Sequence, residues 1–241
     1  MKLLIEHGAD VHARDKSQST PLHLVRDSKA AKLLIRHGAD IHARDESQST
    51  PLHLVQDART VRLLIYLGAD VHARNNSQST PLHRERGYRS VKLLIEHGAD
   101  ARALNKNKAT PLHYVQDCES AQLLIEKGAD VHARDEDHST PLHSVSSLPL
   151  WKKPETTVRL LIEHGASVNA YDKSNQTPLH RLTSCREPNP RSLSVLLENG
   201  ADVDVEDDEG FTPYHIALAE EHYEIVRLLR DRRARIVSNT R

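Results

Sequence analysis

Apolar and polar positions alternate along this chain in blocks that return with a fixed rhythm. In one block, Ala30, Ala31, Leu33, Leu34 and Ile35 fall on one face of a helix running from Lys29 to His37. Asp27 or Ser28 can cap its start, and Gly38 supplies the left-handed stop at its end. The stretch from Ala39 to Ser49 is polar, with Asp and Ser at turn positions, and predicts a hairpin-like loop. Before the block, Thr20 can cap and Pro21 can open a first turn, so the short amphipathic run from Leu22 to Arg26 predicts a second, shorter helix. The predicted unit is helix, turn, helix, projecting finger.

That unit recurs. Thr-Pro-Leu-His begins at Thr20, Thr50, Thr80, Thr110, Thr140 and Thr177, with Thr-Pro-Tyr-His at Thr212, at spacings of 30, 30, 30, 30, 37 and 35 residues. Leu-Leu-Ile followed two residues later by Gly-Ala-Asp keeps the same phase from Leu3, Leu33, Leu63, Leu93 and Leu123. The units run 1–19 (partial), 20–49, 50–79, 80–109, 110–139, 140–176, 177–211 and 212–241, together one domain. The Thr-Pro-Leu-His motif, the leucine pair and Gly-Ala-Asp-Val-x-Ala resemble the ankyrin repeat, whose period is about 33 residues. The resemblance covers nearly the whole chain. It implies an all-α ankyrin-repeat solenoid of helix-turn-helix units, with inner helices lining a groove and fingers projecting beside it, these being the usual partner-binding surfaces.

Three departures from that family carry expectations. The units headed by Thr20, Thr50, Thr80 and Thr110 lack about three residues, close to one helical turn, between the threonine and the leucine pair, which predicts a curtailed inner helix. Where the family commonly has a finger glycine, this chain has Gln18, Gln48, Gln78, Lys108, His138, Asn175 and Gly210. Only the last two suit a left-handed backbone, so the early fingers should be strained, at about 1 kcal/mol each, or differently shaped. The chain also begins inside a unit at Met1-Lys2-Leu3-Leu4-Ile5. An uncapped apolar face there is unfavourable, which predicts upstream sequence or a docked chain. At the other end Arg227, Arg230, Arg232, Arg233 and Arg235 give the last helix the polar character of a capping repeat.

Composition narrows the function. Of the 241 residues, 37% are hydrophobic and 28% charged, with a net charge of −1, which argues against a general phosphate-binding surface and hence against nucleic acid. No window approaches the run of about 20 apolar residues a spanning helix needs, and the start is too short and charged for a signal peptide. Cys118 and Cys185 are far apart and lack CxxC spacing, so they read as free thiols in a reducing, intracellular compartment, cytoplasm or nucleus.

Seventeen histidines invite a metal or catalytic reading. Seven follow the motif leucine or tyrosine (His23, His53, His83, His113, His143, His180, His215), where the family resemblance implies a local hydrogen bond near the helix start. His12, His42, His72 and His132 lie in fingers; His7, His37, His97 and His164 precede the helix-ending glycine. Equivalent positions in neighbouring units sit roughly 8–10 Å apart, whereas two ligands of one zinc must each approach it to about 2 Å. No metal or cofactor is therefore expected. No phosphate loop, dinucleotide fingerprint, HExxH or nucleophile elbow occurs either, and the chain reads as a non-enzyme.

Candidate partner-binding residues are those that break the internal pattern. The third unit continues Arg84-Glu85-Arg86-Gly87-Tyr88, which with Tyr114 makes a basic, aromatic patch. The insertion Ser146–Glu155 carries Leu150 and the only tryptophan, Trp151, and suits either a binding loop or a cover for the stack edge. Arg14, Arg44, Arg74 and Arg134 form a basic finger ladder, while Asp202, Asp204, Glu206, Asp207, Asp208 and Glu209 form an acidic finger beside the basic last helix. The reading is a protein-binding scaffold, monomeric unless its uncapped start self-associates. Its rivals are the recognition arm of a larger enzyme or effector, and an inhibitor that occludes a partner's functional surface.

Overall fold

The computed structural model describes residues 7–85, 87–146, 148 and 152–239, with side chains through residue 234. The chain divides into two compact units, Met1–Pro111 and Leu112–Arg241.

In the first unit the outer helices are α1 (Ser28–Arg36), α3 (Ala58–Tyr66) and α5 (Tyr88–Glu96). The inner elements are a single turn at 21–24, then α2 (Pro51–Leu54) and α4 (Pro81–Arg84). These four-residue pieces are the curtailed inner helices the spacing predicts. Leu22 and Leu52 from the inner row, and Leu64 and Leu94 from the outer, are wholly shielded from solvent, with Leu34 and Leu82 each 2% exposed. Each fully buried leucine contributes about 2 kcal/mol relative to exposure. The polar faces of the same helices stay outside, as the spacing requires.

The second unit holds a one-turn 3-10 helix (Pro111–Tyr114, whose first residue belongs to the first unit), α6 (Cys118–Glu126), α7 (Pro141–Ser146), α8 (Pro154–Glu163), α9 (Pro178–Thr183), α10 (Pro190–Glu198), α11 (Pro213–Ala219) and α12 (Tyr223–Asn239). Here the inner helices α7, α9 and α11 lengthen as the connections lengthen. In the last repeat Glu221 takes the left-handed backbone, at φ 60°, that the longer turn needs. His222 beside it donates from Nε2 to the Cys185 carbonyl, 2.9 Å away. Among the described residues all regular structure is helical, and no helix is long and apolar enough to cross a membrane.

Several helix starts are capped by side chains. Asp27 accepts from the amides of Lys29 and Ala30, Asp57 and Asp117 from those of Thr60 and Ser120, and Asn189 from those of Arg191 and Ser192. At the other end Gly38, at φ 90°, lets the Ala39 amide reach back to the Leu34 carbonyl at 3.0 Å. In the fingers Gln18, Gln48, Gln78, Lys108, His138 and Asn175 all adopt φ between 55° and 59°. The early fingers therefore share the shape of the later ones and carry the strain, instead of avoiding it by another conformation.

Candidate binding surface

The motif histidines hold the repeats together. In the second repeat the Thr50 amide donates to His53 Nδ1 at 3.1 Å, with the Thr50 hydroxyl 3.0 Å away, while His53 Nε2 lies 3.0 Å from the Ser79 carbonyl of the next repeat. A backbone amide can only donate, so Nδ1 must accept and the ring proton resides on Nε2. The same pattern links His23 to Ser49, His83 to Ala109, His143 to Gln176 and His180 to Phe211. Burial pushes His53, His143 and His180 below the ordinary histidine range, against the opposing pull of those carbonyls. Rings locked in this way are not available as ligands. A second set of rings caps helix ends: Nδ1 of His37, His97 and His164 donates to the carbonyl four residues earlier at 2.8–2.9 Å. Among the described residues no cluster of three or more His, Cys, Asp or Glu side chains is placed to share a metal.

The cysteines are single and half-buried. Burial raises both thiols, so neither has the thiolate character a nucleophile needs.

The finger arginines occupy their own geometry. Arg14 Nη1 donates to the Gln18 carbonyl of its own finger at 3.0 Å and to the Arg44 carbonyl of the next at 2.8 Å. Arg44 and Arg74 repeat this on Arg74 and Leu104, and Arg134 donates to the Tyr171 carbonyl. These four candidates are thus tied into the fingers by one nitrogen, while their side chains stay exposed. Within each finger Asp or Asn organises the turn: Asp15 Oδ1 accepts from the amides of Ser17 and Ser19, both at 2.9 Å. The counterpart Asp207 is held below the usual carboxylate range: burial pushes it up, but bonds from Phe211, Gln176 and Glu209 outweigh that.

The inner side of the first unit offers a cleft of about 550 Å³, lined by His23, Leu24, Arg26, Leu54, Gln56 and Asp57 among others. Leu24 is 59% exposed there. Arg84 ends α4 and is exposed, Glu85 after it is buried, and Tyr88 opens α5 at 38% exposure. Tyr114 is half-buried and belongs to the second unit. Arg86, Leu150, Trp151 and the outer-helix motif at Met1–Ile5 lie outside the described residues, as does the side chain of Arg235. Gly87 costs its repeat a cap, because α5 has no side-chain acceptor at its start where α1 and α3 have Asp27 and Asp57.

In the second unit the two long connections meet: Asn189 Nδ2 donates to Glu155 Oε2 at 3.0 Å, and Arg191 Nη1 is 3.7 Å from Glu155 Oε1. Buried Asp172 receives Arg181 through Nε at 3.2 Å and Nη2 at 2.9 Å. The acidic finger reaches the last helix through Asp204, 2.9 Å from Arg233 Nε.

A family model described as ankyrin repeats, in three copies, matches residues 1–75, 54–135, 84–172, 115–207 and 150–240. No curated protein matches the chain.

Proposed function

The chain belongs to the ankyrin-repeat family, and from that membership we propose that it binds a partner protein on the inner face of Met1–Pro111. Ankyrin repeats are in general protein-interaction modules, typically without catalysis of their own. The observation that carries the inner-face reading is Leu24: a large apolar side chain, 59% exposed, on the rim of the cleft that Arg26 and Leu54 also line. The motif histidines are constant and reach a carbonyl of the next repeat, whereas the positions after them vary, reading Leu24, Leu54 and Arg84. Variation on a constant frame is how such a surface acquires specificity, and an apolar centre with an arginine beside it suits a protein anchor.

The test is affinity capture from native extract with the full chain and with a Leu24→Asp/Arg84→Glu variant. Loss of one specific protein from the variant, with its melting temperature unchanged, supports the reading. Retention of every captured protein overturns it.

A further inference from the structure

The outer-helix face of Met1–Pro111 carries a second anomaly, independent of the inner cleft. Outer helices occupy equivalent places in successive repeats, so their ends compare directly. α1 ends Arg36-His37, α5 Glu96-His97, α6 Glu126-Lys127, α8 Glu163-His164 and α10 Glu198-Asn199: a charged residue, then a hydrogen-bonding one. α3 ends Tyr66-Leu67. Tyr66 is 85% exposed and Leu67 41%. Leu67 also forgoes the bond that His37 and His97 make to the helix-end carbonyl at 2.8 Å. An aromatic ring left in water and a missing cap do nothing for the fold.

The surroundings are basic. Lys32 from α1 and Arg59 and Arg62 from α3 line a cleft of about 310 Å³ with Ser28, Leu63 and Tyr66, and no carboxylate lines it. Exposed Lys29, Arg89 and Lys92 extend the positive face, Lys92 pairing with Glu96 at 3.8 Å. The nearby acids are turned to the helix caps, Asp27 to the amides of Lys29 and Ala30, and Asp57 to Thr60. At the positions of Lys29, Lys32 and Arg36, α6 carries Glu119, Gln122 and Glu126, so the basic set is not a property of every repeat.

We propose that this face docks an acidic segment of a partner protein, its carboxylates against Lys32, Arg59 and Arg62 and an apolar side chain laid on Tyr66 and Leu67. Guanidinium forks match carboxylates in a bidentate fashion. The apolar pair at the edge of the cations calls for a ligand with side chains of both kinds, which a protein segment supplies and a bare run of phosphates does not.

Fluorescence anisotropy on the full chain tests this with a labelled synthetic peptide in which Asp and Glu flank a Leu-Phe pair. The peptide binds at low salt, and Arg59→Glu/Arg62→Glu weakens it by about a hundredfold, the loss of roughly two buried ion-pair contacts. Tyr66→Ala weakens it by about fivefold or more. Leu24→Asp leaves it unchanged, and the melting temperatures of all variants match the parent because every altered side chain is exposed. The proposal is overturned by absence of peptide binding, by binding indifferent to Arg59 and Arg62, or by tighter binding to duplex DNA or phosphatidylserine vesicles than to the peptide.

Discussion

Arg44 donates from one guanidinium nitrogen to the backbone carbonyl of Arg74, one repeat on, at 3.0 Å, while the same nitrogen holds the Gln48 carbonyl of its own finger at 2.9 Å. The contact joins two fingers by a side chain that looks, in the sequence, like a free surface charge. Arg44→Ala should therefore lower stability by about 1 kcal/mol in chemical denaturation. Arg44→Lys should recover less than half of that, because an ammonium on a shorter stem does not reproduce the guanidinium's reach and geometry. Equal stability of Arg44→Ala and the parent would refute the staple.

The locked histidines set a pH dependence. His53, His143 and His180 titrate below the ordinary value in the fold, whereas in the unfolded chain they return to about 6.5. The unfolded state then takes up more protons as the solution is acidified. Stability is fully present above about pH 6.5 and is lost progressively below it. Thermal melts should be flat between about pH 7 and pH 8 and fall steadily on the acid side. A melting temperature that rises between about pH 6.5 and pH 5.5 would contradict the tautomer assignment.

Much of this was legible beforehand, because periodicity is a property of order along the chain. The repeat unit follows from spacing, while the curtailed inner helices and the local bond of the motif histidines follow from setting that spacing beside the ankyrin repeat it resembles. The double duty of Arg14, Arg44 and Arg74 did not, since whether a side chain reaches the next carbonyl depends on how far apart successive fingers stand. The Tyr66-Leu67 departure was visible by aligning helix ends, but only its exposure beside Arg59 and Arg62 gave it meaning.

Two substitutions should strengthen the fold. Gly87 has an extended backbone, at φ −132°, and open space around a would-be Cβ. Gly87→Asp supplies the cap that Asp27 and Asp57 give their own helices and restricts the unfolded chain, for a gain of about 1 kcal/mol. Gln48→Gly relieves a side chain held at φ 59°, also for about 1 kcal/mol. Both are checked by the denaturant midpoint, and a fall in either would mean that the local backbone is not the source of the deficit.

Thr60 and Thr157 occupy the same place in their repeats and should respond oppositely. The Thr60 hydroxyl donates to Asp57 Oδ2 at 2.8 Å, whereas Pro154 stands where that aspartate would be and the buried Thr157 hydroxyl has no partner among the described residues. Thr157→Val should stabilise by about 1 kcal/mol and Thr60→Val should destabilise by about as much. Calorimetry on the two variants decides it.

The ring proton of the motif histidines from His23 to His180 rests on the carbonyl of the repeat that follows, and this gives the array a direction. At the end of the row the exposed ring of His215 keeps, among the described residues, only its contact with Thr212 of its own repeat. The chain therefore behaves less like a stack of equal tiles than like a row of hooks that all face one way.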